Sequence, residues 1–162
     1  MASFTYTTYK AGALTGAVDL TGHIIKVMLV GSSYGGAIQN GAAETTHRLT
    51  GDVISYEIAG GGGYEKGGKV LTNRTVTADT VDKEGAFDAD DVSWTSSTIT
   101  ASGAIVYVSG TRNSIGNMAA DNSNEAVSKS WVLAFIDFGG LQSSSNGTFQ
   151  IVWNSEGIIN WS

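Results

Sequence analysis

The chain contains no proline and 22 glycines. Without proline, its tight turns have to be built on Gly, Asn and Asp. Glycine is also the least favourable residue, proline apart, inside a helix. The pair of facts points to many short strands joined by tight turns. The apolar pattern agrees. His23–Val30 is nearly all apolar and β-branched, as a central strand is. Val53–Ile58 alternates, with Ile54, Tyr56 and Ile58 on one side. Lys69–Thr80 is rich in Thr and Val, and a short strand is expected around Val92 and Trp94. Gly103–Gly110 and Trp131–Phe138 carry the strongest strand signals, followed by Thr148–Trp153 and Gly157–Trp161. The one helix candidate is a short N-terminal segment within Phe4–Leu14, which Gly12 and Gly16 would close. About eight strands at this spacing predict a mainly all-β fold. The expected form is an antiparallel β-sandwich or open barrel, in a single β-rich domain over residues 1–162. Ile25, Val27, Leu29, Val106, Leu133, Phe135 and Ile151 occupy the apolar positions of the best strands and are the expected core.

A chain of 162 residues buries enough surface to fold without staples. It has no cysteine, so a disulfide framework and a thiolate metal site are both excluded. The net charge is -6, and the nine Lys and Arg residues are scattered with no two adjacent. That distribution argues against gripping phosphate backbones, so nucleic acid is not an expected partner. No apolar run is long enough to span a bilayer, and no membrane contact is expected. The opening MASFTYTTYK lacks a basic region followed by an apolar stretch. No signal peptide is read there, and assembly in a cytoplasm is the expectation.

Most candidate chemistry fails on spacing. Gly63–Lys69 fits GxxxxGK, but Val70 follows where a phosphate loop needs Ser or Thr, and a strand follows where it needs a helix. A turn between two strands is the better reading. Asp82, Glu84, Asp88, Asp90 and Asp91 form an acidic cluster. It is either a cation site or, the favoured reading, a solvated loop that keeps a strand edge soluble. His23 and His47 stand in neither an HxH nor an HExxH arrangement, and GxSxG is missing. No catalytic residue, metal ligand or cofactor is assigned, and the chain is expected not to be an enzyme. Trp94, Trp131, Trp153 and Trp161 sit in or beside expected strands, where core packing explains them first. The Asn-x-Ser/Thr triplets at Asn73, Asn146 and Asn160 read as chance matches in a chain without a secretory signal.

Two loops stand apart. Gly60–Gly68 reads GGGGYEKGG, and Thr111–Ser130 is a polar stretch too long for a hairpin turn. Each is either a mobile surface loop or a segment ordered by a neighbour. On the second reading, Tyr64 and Met118 are the expected apolar anchors of a partner contact, with Arg112 beside them.

Several stretches then form an ordered set. Asp19-Leu20 precedes Ile25, Lys26, Val27 and Leu29, with Ser33 and Tyr34 after them. Gly63, Tyr64, Gly67, Gly68 and Leu71 follow, then Thr75–Thr77, Phe87–Val92 with Trp94, and Ser97–Thr100. The set closes with Ile136–Gly139, Ser143–Gly147, Trp153-Asn154, Gly157 and Ile158. In this order and spacing the chain resembles a family of small virion proteins encoded among the head genes of tailed bacteriophages. It departs from that pattern in a longer glycine run and an enlarged Thr111–Ser130 stretch. The resemblance implies a non-enzymatic structural protein on the capsid exterior, a decoration or cement protein bound to the major capsid protein. It also implies homo-oligomers, as trimers around local three-fold positions. A neck- or tail-associated protein and a carbohydrate-binding adhesion module remain the alternatives. An acidic surface suits the outside of a shell better than its DNA-facing inside.

Overall fold

The computed structural model describes residues 3–38, 43–81, 83–112, 118–120 and 130–161. It is mainly β and antiparallel, as the patterning predicts. In chain order the elements are β1 (Phe4–Thr5), α1 (Thr7–Leu14), β2 (Ile25–Val30), α2 (Ser32–Ile38), α3 (Ala43–Thr46), β3 (Lys69–Val70) and β4 (Thr75–Asp79). Then come β5 (Glu84–Asp88), β6 (Val92–Val108), β7 (Gly110–Arg112), β8 (Met118–Ala120), β9 (Val132–Ile151) and β10 (Ile159–Trp161). One sheet has the order β1-β9-β6-β2-β3 and a second the order β10-β5-β4. A hairpin of β7 and β8 stands apart. Among the described residues no helix is long and apolar enough to cross a membrane.

β2 is buried along its whole length because both faces of its sheet are covered. Ile25, Val27 and Leu29 face one apolar cluster, shared with Val106, Leu133, Trp94, Phe149 and Ile151. Met28 and Val30 face another, with Tyr6, Tyr34, Val53, Ile105, Tyr107 and Phe135. All seven expected core residues are buried. The N-terminal helix forms as α1, with Gly12 inside it against the Trp131 ring and Gly16 just beyond its end.

The structure corrects the expected strand at Val53–Ile58. The segment folds as two short 3-10 turns, Thr50–Asp52 and Ile54–Tyr56. The Asp52 carboxylate accepts the amides of Arg48 and Leu49 and so sets the first turn. Val53 then drops onto the second face of the large sheet, and only Glu57 bridges to Val30. A six-residue apolar run cannot by itself separate a strand from a segment that caps a sheet.

Two further expectations change in extent. The short strand at Val92–Trp94 and the strand at Gly103–Gly110 belong to the single strand β6. Likewise Trp131–Phe138 and Thr148–Trp153 are joined within β9. The joining stretches are rich in Ser and Gly, which give little strand signal of their own, and are held extended because each strand satisfies the other's backbone groups.

The resulting ribbon is not straight. Phe138 and Phe149 lie eleven positions apart on β9, which would separate them by about 36 Å in an extended strand. Their ring centroids are 6.0 Å apart. The ladder is broken at two places between them: around Ser96 and Asn146, which take φ of 51° and 50°, and where Phe138–Leu141 bulge out between the pairs Gly103↔Asp137 and Ala101↔Gln142. Gly139 and Gly140 take φ of 73° and 149° there, a region open to glycine. The outer half of the ribbon therefore folds back over the inner half, with Trp94, Ile99, Phe149 and Ile151 closing on Val27 and Leu29. Strands that switch layers at a bulge make the corner of a sandwich.

Leu133 is fully buried at the centre of this packing. Leu133→Ala is expected to lower stability by about 2–5 kcal/mol. Denaturant unfolding measures this, and a loss at the surface-substitution level of about half a kcal/mol contradicts the packing described.

Candidate functional site

Each feature singled out in the sequence has a definite place. The glycine loop is docked on its own sheet. Tyr64 is 3% exposed, and its hydroxyl donates to Glu57 Oε1 at 2.7 Å while accepting the Leu29 amide at 3.1 Å. Burial, then the neighbouring Glu57 charge, push its phenol far above the ordinary value. The same Glu57 oxygen accepts the Gly67 amide at 2.6 Å, and the Tyr107 hydroxyl donates to the Gly67 carbonyl at 2.7 Å. Gly68 sits at φ 64°, and a Cβ there would lie 1.8 Å from the Val27 carbonyl oxygen. The glycines let the loop backbone press onto β2, while Tyr64 caps the β2 edge beyond its short pairing with β3. Tyr64 is thus placed as a core residue, not as a surface anchor, because its ring packs against Trp94 and its hydroxyl is consumed internally.

Arg112 and Met118 are register partners in the β7–β8 pair. Most of the Thr111–Ser130 stretch lies outside the described residues. The GxxxxGK match ends in β3, a strand, so its backbone has the geometry of a docked loop.

The acidic cluster is not the solvated loop expected: Glu84 and Asp88 lie in β5, the middle strand of the three-stranded sheet, where β4 and β10 pair on either side. The Asp90 carboxylate accepts from the Thr72 hydroxyl and the Asn73 amide, Asp91 accepts the Trp153 backbone amide, and Glu84 accepts the Asn160 amide. Asp82 lies outside the described residues. Among the described residues no three His, Cys, Asp or Glu side chains stand close enough to hold a metal ion. His23 accepts the Asp19 amide at Nδ1. His47 shares a 3.0 Å hydrogen bond with the Tyr34 hydroxyl, which in turn meets the Tyr6 hydroxyl. Partial burial lowers the His47 pKa, against a smaller opposing pull from Asp52.

One open feature of the fold was not foreseen. β9 has β1 as its outer neighbour only at Ala134 and Phe135. From Phe138 onward its sole strand partner among the described residues is β6. Because β9 doubles back, the free edge of its outer arm faces Ile136–Phe138 of the inner arm across a cleft of about 580 Å³. Ile136, Phe138, Phe149 and Ile151 form an apolar floor continuous with the core. Gln142, Ser143, Thr148 and Gln150 form a polar, uncharged rim. An adjoining hollow of about 360 Å³ runs from Ile136 past Val152 to Ile158. The charged residues lining the two hollows are Asp137 and Glu156, with no Lys or Arg among the described residues. A signal for this seam was present in the sequence: Phe138–Ser155 and Val92–Thr111 contain no charged residue at all. The sandwich is open along this seam, and what it offers is contact chemistry: an unpaired strand edge over an apolar floor.

Comparison with known proteins finds no matching family model, no matching curated protein and no matching solved structure.

Two outcomes follow from the internal networks. Tyr64→Phe removes a donor to Glu57 and leaves the Leu29 amide without its acceptor, which is expected to cost about 1–3 kcal/mol in denaturant unfolding. A neutral result contradicts the docked loop. His47 has a folded pKa below its unfolded value of about 6.5. Its contribution to stability is complete above that value and is lost as pH falls through the folded pKa. Thermal unfolding between about pH 7 and pH 5 should therefore show a decline that His47→Asn flattens.

Proposed function

We propose that the chain is a non-enzymatic structural protein of a tailed-bacteriophage particle, a decoration protein that binds the major capsid protein on the outside of the head. The ordered motif set from Asp19 to Ile158 supports this reading, and the seam along β9 is the observation that carries it. A strand edge above an apolar floor is suited to a polypeptide partner. A small-molecule site would instead gather a few convergent polar or titratable groups in a concave pocket. The titratable groups of this fold are spent elsewhere: Glu57 on the glycine loop, Asp90 and Asp91 on the corners, His47 on Tyr34. Many identical copies on a symmetric shell turn a modest contact into firm attachment. The resemblance further implies that copies gather as trimers at local three-fold positions. For the alternative of a sugar-binding module, the 4 Trp, 6 Tyr and 5 Phe are all buried or half-buried, which leaves no exposed ring for stacking on a sugar.

The purified chain, mixed with heads that lack it, is expected to bind saturably to the outer surface, resolve around symmetry axes in particle images, and raise the temperature at which the heads rupture. Binding confined to necks or tails, or to soluble glycans, overturns the assignment.

A further inference from the structure

We propose that the seam receives an extended segment of another protein, added as a strand beside the Thr148–Ile151 arm of β9, with apolar side chains at alternate positions and Lys or Arg at its flanks. This rests on reading the chain as a protein-binding module and not on its assignment to a particle.

Three observations lead to it. First, the arm is a regular strand with one side unpaired. Its Val92↔Ile151, Ser93↔Gln150 and Trp94↔Phe149 pairs occupy the β6 side, while the other side opens on the cleft among the described residues. Such a row of backbone donors and acceptors is a template for a further strand. Edges are usually guarded by charged side chains or proline; Phe138–Ser155 holds neither. The bulges at Gly139–Leu141 and around Asn146 limit regular pairing to the arm beyond them.

Second, the floor requires alternation. On the arm itself Phe149 and Ile151 turn into the core while Thr148 and Gln150 are exposed. A strand laid beside it alternates in the same way, so every second side chain reaches Ile136 and Phe138, which are only half-buried. Covering them continues the core across the seam.

Third, charge selects the partner. The exposed charge of the lining is Glu156, with no cation among the described residues and Asp137 already engaged, in a chain of net charge -6. A second copy of the chain would bring like charge to the seam, whereas a segment with basic flanks meets opposite charge.

The test uses the full chain and a displayed library of random peptides. Selection is expected to enrich peptides with alternating apolar positions and basic flanks. Resynthesised with alternate backbone amides N-methylated, such peptides should lose binding in one register and keep it in the other, because an added strand turns only every second amide towards its neighbour. Thr148→Lys and Gln150→Lys should each weaken binding by about tenfold or more, roughly 1.4 kcal/mol, while Val76→Lys on the exposed edge strand β4 leaves it unchanged. The methylated pair keeps the test decisive on the unmodified chain if a lysine variant fails to fold. The proposal is overturned by an absence of enriched peptides, by binding that tolerates methylation in both registers, or by loss with Val76→Lys but not Thr148→Lys. It is equally overturned if the chain alone is a dimer that Thr148→Lys dissociates, since the seam then holds a second copy. A Thr148→Lys chain that still decorates heads with unchanged affinity removes this proposal and leaves the assignment to the head intact.

Discussion

The doubling-back of the β6–β9 ribbon is the constraint on which the rest of the molecule depends. Two strands of 17 and 20 residues would be a bare ribbon if straight, and an isolated two-stranded ribbon is at best marginally stable in water. Folding the outer half over the inner half makes one pair of strands contribute to both layers of a sandwich. Trp94, Ile99, Phe149 and Ile151 become the second layer above Val27, Leu29, Val106 and Leu133. The bend needs places where the backbone can leave the ladder, and Gly139 and Gly140 supply one of them. The three-stranded sheet then closes one end of the sandwich with Phe87, Ile158 and Ile159.

A second consequence concerns the opposite edge. β3 pairs with β2 only at Lys26 and Val27, so the remainder of that β2 edge needs other partners. The glycine loop and the segment before it provide them. Tyr64 Oη takes the Leu29 amide, the Ile58 amide donates to the Leu29 carbonyl, and the Gly31 amide donates to the Tyr56 carbonyl. Glu57 holds the loop in place through Tyr64 and Gly67. A buried carboxyl is tolerated only when its oxygens are satisfied, so these contacts act as a unit. One side of the large sheet is thereby sealed internally, while on the side along β9 the strand neighbour among the described residues ends with β1 at Phe135. The two edges are closed unequally: β3, the glycine loop and the Tyr56–Ile58 segment cover the β2 edge, whereas β1 and Ser3 cover the β9 edge only as far as Asp137.

Much of the fold was legible from local pattern. The absence of proline, the glycine count and the β-branched runs were enough for a mainly antiparallel β chain. They also identified a buried central strand within His23–Val30, formed over Ile25–Val30, a short helix before it, and seven core positions from Ile25 to Ile151. These depend on side-chain periodicity, which a residue carries with it wherever the chain goes. The glycine loop and the acidic cluster were legible as features but not as roles. Whether Tyr64 points outward or into a core depends on what lies across from it. Asp90 and Asp91 found their partners at Thr72, Asn73 and Trp153, up to 62 residues away in sequence.

The sequence by itself determined the strand-rich class, the uncharged Phe138–Ser155 stretch and the core positions of the best strands. Only the tertiary structure decided that two pairs of apparent strands are one bent ribbon, that Val53–Ile58 caps a sheet instead of joining it, and that an open seam results. The physical reason is one of range. Burial preference and turn chemistry act over a few residues and are written in composition. Strand register, the site of a bulge and the freedom of an edge depend on backbone partners far away in the chain, as with Leu29 and Tyr64 or Ile99 and Ser144.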